Sequence, residues 1–224
     1  MLADLTWPEV DGHTEAVIVV PVGSTEQHGP HLPLSTDTDI AVALARGLAE
    51  RRPGVMVAPA LPYGASGEHA GFPGTLSIGQ EALELLLVEL CRSATRTAHR
   101  VLLLNAHGGN LAPLRRAVEL LRNEGRDVRA WWPRWGGDAH AGRTETSVQL
   151  ALAPARVRSH LVAPGATAPL AELLPVLRER GVRAVSPDGV LGDPTGGTAE
   201  QGRLLLEAAL DDLVATVRAW SPAR

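Results

Sequence analysis

The loop that follows the first apolar run of the chain concentrates residues that bind metals or move protons. It holds two imidazoles and three carboxylates in a segment rich in Gly and Pro. Glu26 and His28 are two residues apart, so in extended chain both side chains leave on the same face. Carboxylate oxygen beside imidazole nitrogen suits Zn²⁺, Mn²⁺ or Fe²⁺, and the lack of thiolates argues against a closed structural zinc site. Glu26, His28 and Asp37 are therefore candidate metal ligands, whereas His31 and Asp39 are more readily explained as ordinary polar loop residues.

A second polar segment, Asn105-Ala-His107-Gly-Gly-Asn110, comes directly after an apolar run. Glycine at such a strand end lets a ligand approach the backbone closely. The same segment could instead form an anion-binding nest at the start of the helix predicted near Leu111. It is not a nucleotide-binding P-loop, because the chain contains no lysine, and this also excludes Schiff-base chemistry.

Two further segments carry polar residues that could serve a reaction. In Asp138-Ala-His140-Ala-Gly-Arg-Thr-Glu145, His140 is a candidate base and Glu145 is a carboxylate that opens a predicted helix. Each also has an ordinary explanation, since His140 could be a surface loop residue and Glu145 could simply favour the positive end of the helix dipole. In the segment 66–75, which contains His69 and the only phenylalanine, the side chains could line a pocket or shape the loop.

Alternating strand and helix patterns provide the frame for these segments. Continuous β-branched runs predict buried parallel strands over 16–22, 55–60, 101–104 and 128–132. Apolar spacing of three to four residues predicts helices over 40–50, 80–97, 111–122, 144–152, 169–180 and 199–220, the last after a capping box at Thr198 and Gln201. The alternation predicts an α/β fold with a mainly parallel sheet covered by helices on both faces. We expect the site beyond the carboxyl ends of the strands.

Composition excludes several classes of function. The 21 basic and 25 acidic residues give a net charge of -4 without any basic block, which does not suit a nucleic-acid-binding protein. The apolar stretches fall short of the roughly 18 residues of a membrane span, and the start lacks the pattern of a signal peptide. The single cysteine, Cys91, cannot form an internal disulfide, which suits a reducing compartment. We expect a cytoplasmic protein with one domain over residues 1–224.

The polar segments together resemble the creatininase family of metal-dependent amidohydrolases. The matching stretches, in the family's order, are GSTEQHGPHLPLSTD, GASGEHAGFPGTLS, NAHGGN, HAGRTETS and GVLGDPTGGTAEQG. The resemblance implies a three-layer α/β/α sandwich, usually in homo-oligomers, with two divalent metal ions per subunit. It implies Glu26 and His28 as ligands of different ions, with Asp37 bridging them. It further implies His107 as the third ligand of the ion at Glu26.

One position departs from the family pattern. Creatininase has a glutamate two residues after the histidine of the NAHGGN segment, where this chain has Gly109. The ion at His28 therefore needs another carboxylate, and Glu145 is the best candidate. His140 matches the family histidine that contacts substrate and assists proton transfer.

The implied reaction is hydrolysis of an amide bond. Two divalent ions that share a carboxylate can hold a bridging water as hydroxide at neutral pH. We expect this hydroxide to attack the amide carbonyl and His140 to protonate the leaving nitrogen, with Glu145 acting through its metal. The ligand types accept Zn²⁺, Fe²⁺ or Mn²⁺, and the sequence does not choose among them.

Within the family, the short length and the stretch WWPRWGGDAHAGRTETS are most similar to peptidases that trim a C-terminal Val-Tyr dipeptide from a modified precursor peptide. Arg134 and Arg143 are then candidates to bind the terminal carboxylate. Trp135 is a candidate to stack on the aromatic side chain, and His69 to contact substrate. The alternative is an amidohydrolase acting on a small cyclic amide or formamide. A metal-binding module without catalysis is a third hypothesis, against which the retained His140 argues.

Overall fold

A computed structural model describes residues 1–220 of the chain, with a four-stranded sheet at its centre. The strands are β1 (Val17–Val22), β2 (Val55–Val57), β3 (Arg100–Asn105) and β4 (Asp127–Trp131). Their order across the sheet is β2-β1-β3-β4, and every neighbouring pair is parallel. Because β1 pairs with β2 on one side and with β3 on the other, the carboxyl ends of β1 and β3 flank the point at which such sheets bind ligands.

Helices cover both faces of this sheet. They are α1 (Trp7–Val10), α2 (Thr36–Arg51), α3 (Gln80–Ala94), α4 (Leu111–Asn123), α5 (Arg143–Leu152), α6 (Leu170–Arg180) and α7 (Ala199–Trp220). Ile18 and Val20 of β1 lie in one core with side chains of α3 and α4, whereas Val17 and Val19 lie in a second core with α2 and α7. Alternate residues of β1 thus face helices on opposite sides of the sheet, which confirms the predicted α/β/α layers. Within residues 1–220, no helix is long and apolar enough to span a bilayer.

Three predicted boundaries shift by three residues or more, and one shift moves a site residue. The helix predicted over 80–97 ends at Ala94. The strand predicted over 55–60 ends at Val57. The Ala58 N–H still donates to the Val19 carbonyl at 2.9 Å, but Pro21, the next residue of β1 that faces β2, has no N–H with which to continue the ladder. The helix predicted from residue 40 begins at Thr36, so Asp37 lies in its first turn rather than in a loop. A carboxylate is favoured there by the helix dipole.

The start of α7 has only half of the predicted capping box. The Gln201 N–H donates to Thr198 Oγ1 at 3.1 Å, as predicted. The Thr198 N–H, however, donates to Ser147 Oγ at 3.1 Å, and Gln201 Oε1 accepts from Arg143 Nε at 2.9 Å. These contacts tie the start of α7 to α5, the helix that carries Glu145.

Candidate metal centre

Four of the predicted ligands meet at the carboxyl ends of β1 and β3. Glu26 and His28 lie in the loop after β1, Asp37 lies in the first turn of α2, and His107 follows β3. Each of these side chains is at most 5% exposed. Groups that carry or accept charge are stable at such depth only with partners of opposite charge or a metal.

The first group of ligands comprises Glu26, Asp37 and His107, whose ligand atoms lie within 4.8 Å of one another. His107 Nε2 is 3.1 Å from Glu26 Oε2, and His107 Nδ1 is 3.4 Å from Asp37 Oδ2. Two carboxylates and one imidazole are a donor set suited to Zn²⁺, Mn²⁺ or Fe²⁺.

The second group comprises His28, Asp37 and Glu145. His28 Nε2 is 3.2 Å from Asp37 Oδ1 and 3.9 Å from Glu145 Oε2. His28 Nδ1 donates to the main-chain carbonyl of Glu26 at 3.2 Å, which turns Nε2 towards the carboxylates. Asp37 thus belongs to both groups, with Oδ2 towards His107 and Oδ1 towards His28, which is the placement required of a carboxylate shared by two ions.

Several carboxylate oxygens at this point lack hydrogen bonds. Both oxygens of Glu26 and Oδ2 of Asp37 are buried without a hydrogen-bond partner in the described part of the chain. A buried polar atom left unpaired costs about 1–3 kcal/mol, and more when it is charged. A divalent cation satisfies such oxygens directly, so the residues present fit a metal site.

The pKa values of three predicted ligands are strongly shifted. Burial opposes a charged imidazolium, but the carboxylate of Asp37 and its neighbours outweigh it and raise the pKa of His28 to about 10. Burial also opposes the charged form of His107, but the carboxylate of Glu26 outweighs it and raises the pKa of His107 to about 10. Burial opposes ionisation of Glu26, but the imidazole of His107 holds the pKa of that carboxyl well below its usual range. His28 and His107 are therefore both protonated to imidazolium at neutral pH, and each loses one proton when it binds a metal.

Metal binding is expected to release these protons. Below pH 10, an ion must displace one proton each from His28 and His107. The apparent affinity for each zinc ion should then rise with pH by up to about tenfold per unit, and the product of the two affinities by up to about 100-fold. Calorimetric titration of metal-free protein in two buffers of different ionisation enthalpy measures the release. Buffer-independent heats and an affinity that stays flat from pH 6 to 9 would contradict it.

His140 is positioned by a strained turn beside the second group. The main-chain N–H of His140 donates to the Leu191 carbonyl at 3.2 Å, and the Leu191 N–H donates to the His140 carbonyl at 2.9 Å. The next residue, Ala141, has a φ of 52°, a left-handed conformation that is uncommon outside glycine. In this conformation the Ala141 N–H donates to Glu145 Oε2 at 2.5 Å. The turn holds the ring of His140 against that of His28, with centroids 4.3 Å apart.

Two imidazoles at the centre remain neutral. Burial, reinforced by His28, lowers the pKa of His140 to about 4. Burial, reinforced by His140, lowers the pKa of His69 to about 3. The donor atoms of Glu26, His28 and His140 also lie within 4.8 Å of one another, so proximity alone allows His140 to be a ligand as well as a proton carrier.

Gly109 cannot carry the glutamate that the family pattern places there. A Cβ at this position would overlap the carbonyl oxygen of Ala65 and Nε2 of His107. Glu68 occupies part of the same space, with Oε1 at 3.7 Å from His107 Nε2. Among the groups that the described residues form, the carboxylates near His28 are Glu26, Asp37 and Glu145, and Glu145 is the one that is not also grouped with His107.

We expect Gly109→Ala to destabilise the protein by about 1–3 kcal/mol, because the added methyl group forces His107 or the Ala65 carbonyl aside. Zinc affinity should fall with it, since His107 is a predicted ligand. The matched control is Gly108→Ala, whose Cβ meets nothing within 4 Å. Urea unfolding and zinc titration of both variants measure the difference, and equal behaviour of the two would contradict the steric argument.

Three residues predicted to contact substrate lie away from the cavity that opens onto the two groups of predicted ligands. Trp135 packs against the second core, and its indole N–H donates to the Leu205 carbonyl at 3.3 Å. Arg134 and Arg143 are exposed. Of the four predicted contacts, His69 is the one that lines the cavity. The roles of the other three stay predictions.

The cavity itself has a volume of about 1070 Å³, and part of its wall was not predicted. That part comes from α6 and the turn after it, and it is lined by Leu170, Leu174, Leu177, Arg178, Arg180 and Arg183. No residue of α6 is buried, and three of its four leucines, Leu170, Leu174 and Leu177, face the cavity. Their helical spacing was a visible signal, but spacing does not distinguish a core face from a cavity wall. Glu68 and Gln27 were also missed as site residues.

Comparison with known proteins identifies the family of the chain. The sequence profile of the creatininase family, described as creatinine amidohydrolase, matches residues 3–217. The chain belongs to the creatininase family. A family member from Mycobacterium tuberculosis (strain CDC 1551 / Oshkosh), named mycofactocin precursor peptide peptidase, is 54% identical over 220 residues, which cover 93% of this chain and 87% of the relative.

Solved creatininase structures share the fold. A mutant creatininase described as Zn-Zn type superposes with a TM-score of 0.86 at 28% identity, covering 99% of this chain and 98% of that one. A structure described as creatininase Mn gives 0.85 at 28% identity, with the same coverage. The predicted family and fold class are confirmed.

Proposed function

We propose that this creatininase-family chain is a metal-dependent peptidase that processes the mycofactocin precursor peptide by releasing a C-terminal Val-Tyr-derived dipeptide. The observation that carries the metal-dependent part is the position of Asp37, which faces both ligand groups through different oxygens. The name of the 54% identical relative supports the peptide substrate.

The proposed centre holds two divalent ions per subunit. Glu26, Asp37 and His107 would hold one ion, and His28, Asp37 and Glu145 the other. When bound, such ions polarise a carbonyl oxygen and lower the pKa of water towards neutrality. Zinc or iron suits this donor set, with manganese as a further possibility.

The cavity favours a peptide over a small cyclic amide. Ligand pockets usually measure about 300–1,000 Å³, and this cavity, at about 1070 Å³, is slightly larger than that range. The leucines and arginines of α6 extend its wall well beyond the ligand groups, which provides space for several residues of an extended chain. A cyclic amide or formamide remains the second candidate, because the ligand groups alone would serve that hydrolysis equally.

Mass spectrometry of a synthetic precursor C-terminal peptide, incubated with zinc-loaded protein, tests the proposal. We expect the wild type to release the dipeptide and Glu26→Gln to slow release by at least about 10³-fold, since it removes a ligand and a charge. Glu119→Gln, which changes an exposed side chain of α4, is the matched control and should cleave like the wild type. Intact peptide despite two bound ions would favour the cyclic amide or formamide.

Two further properties stay predictions. The single buried cysteine favours a cytoplasmic protein. The family resemblance favours a homo-oligomer, and mass photometry of the metal-loaded protein would measure its state.

A further inference from the structure

Gln27 lies beneath the cavity, between two histidines that the proposed ligand set does not use. The side chain is 5% exposed. Its Nε2 atom is 2.8 Å from Nδ1 of His69 and 3.2 Å from Nε2 of His140. Both imidazoles line the cavity, and their ring centroids are 4.4 Å apart. One residue therefore contacts both rings.

Two main-chain groups fix which way the Gln27 amide points. The Gly29 N–H can only donate, and it lies 2.8 Å from Gln27 Oε1. The Gly189 carbonyl can only accept, and it lies 3.0 Å from Gln27 Nε2. A flipped amide would lose both hydrogen bonds, so Nε2 is the NH₂ group. One of its hydrogens goes to Gly189, and the other is directed to His69 Nδ1.

This bond determines which nitrogen of His69 carries the proton. Because Nδ1 accepts from Gln27, the neutral ring has its hydrogen on Nε2. That nitrogen is 3.5 Å from Glu26 Oε1, one of the buried oxygens without a hydrogen bond. His69 thus presents an N–H donor to the position where the ligand groups meet the cavity.

Gln27 also binds His140, but here the histidine is the donor and Gln27 the acceptor. The Nε2 atom of His140 is 2.8 Å from the main-chain carbonyl oxygen of Gln27, which can only accept. His140 Nε2 is therefore a donor, and both hydrogens of the Gln27 amide are already used. The remaining nitrogen, Nδ1, keeps its lone pair and lies 3.7 Å from Glu26 Oε1. The two rings have the same tautomer, but His69 presents a donor and His140 presents a base.

We propose that His69 is a second catalytic histidine, which donates a hydrogen bond to the oxyanion formed from the scissile carbonyl, and that Gln27 is the positioning residue that assigns complementary roles to His69 and His140. This inference rests on the proposed amide hydrolysis. It adds a donor supplied by the protein itself to the charge stabilisation available at the site.

The roles account for every proton in the reaction. A water oxygen adds to the carbonyl carbon while one water proton passes to His140 Nδ1. The carbonyl electron pair moves onto oxygen, which accepts from His69 Nε2. As the C–N bond breaks, His140 gives its proton to the nitrogen, and the products are a carboxylic acid and an amine.

NMR of zinc-loaded protein tests the assignment without a substrate. Long-range ¹H–¹⁵N spectra distinguish the two tautomers, and loss of signals in single His→Gln variants assigns the rings. We expect the hydrogen on Nε2 in both His69 and His140. In Gln27→Glu, the new carboxylate accepts from His69 Nδ1 and should move that hydrogen to Nδ1, while His140, bound to the main chain, stays unchanged. A hydrogen on His69 Nδ1 in the wild type would overturn the inference.

Kinetics of His69→Phe test the catalytic role. The ring shape is kept and the donor is lost, so kcat for peptide cleavage should fall roughly 10²–10³-fold with KM little changed and two ions retained. His69→Gln, which restores an N–H donor, should recover part of the rate. His160→Phe, at an exposed site, is the matched control.

The outcomes separate this inference from the proposed function. If the wild type cleaves the peptide and His69→Phe cleaves it equally well, the donor role of His69 is wrong. Loss of metal in His69→Phe would also overturn that role, because His69 would then support Glu26 instead of the substrate. If the wild type does not cleave the peptide, the proposed function fails, and the NMR spectra still decide whether Gln27 orients the two rings.

Discussion

Asp37→Asn is expected to lose at least one of the two metal ions and to reduce peptide cleavage by at least about 10³-fold. The substitution removes one negative charge and replaces an oxygen with an NH₂ group that repels a cation. Asp37 faces His28 through Oδ1 and His107 through Oδ2, so either rotamer of the amide spoils one ligand group. Losing several kcal/mol of charge stabilisation corresponds to three or more powers of ten in rate, at about 1.4 kcal/mol each.

Elemental analysis of the purified variant, alongside the rate of dipeptide release, measures this effect. Asp39→Asn is a matched control on the same turn of α2. Its carboxylate accepts from Ser35 and Arg156 and faces away from both ligand groups, so metal content should stay at the wild-type value. Two ions bound to Asp37→Asn would remove the shared carboxylate from the account.

His140→Ala should slow turnover by roughly 10²–10⁴-fold while metal content stays intact. The alanine removes the group that takes the proton of water and returns it to the leaving nitrogen. An amine leaves far more easily than an amide anion, so the rate depends on this proton. The backbone bonds between His140 and Leu191 do not involve the side chain, so the turn should persist.

The metal analysis of His140→Ala decides between two roles. His140 lies close enough to Glu26 and His28 to be a ligand. An inactive variant that binds two ions fits a proton carrier, whereas an inactive variant that has lost an ion makes His140 a ligand. His160→Ala, at an exposed site, controls for the loss of an imidazole and should match the wild type in both measurements.

The strands and the ligand loops were predictable because their signals are local. A continuous β-branched run such as that of β1 is typical of a strand that is buried on both faces of a sheet. Polar residues that directly follow such a strand lie at the carboxyl edge of the sheet. The resemblance to the creatininase family then indicated which of those residues belong together. Asp37 was predicted to be a ligand although its helix begins earlier than the apolar pattern predicted.

Contacts between distant segments were not predictable in the same way. Gln27 was not predicted as a site residue, because an amide between two predicted ligands has no distinctive sequence pattern. Its hydrogen-bond partners His69 and Gly189 are distant in sequence and lie beside it only in the folded protein. Trp135 lies in a glycine-rich stretch typical of a pocket loop, yet it packs on the core because α7 passes beneath it. The leucines of α6 likewise needed the tertiary structure to show that they face a cavity.

Anomalous diffraction at the zinc edge from crystals of zinc-loaded protein shows how many ions the site binds and where they lie. We expect two peaks, one between Glu26 and His107 and one between His28 and Glu145, with the carboxylate of Asp37 bound to both. A single peak, or a second ion without contact to Asp37, would contradict a dinuclear centre built on this residue.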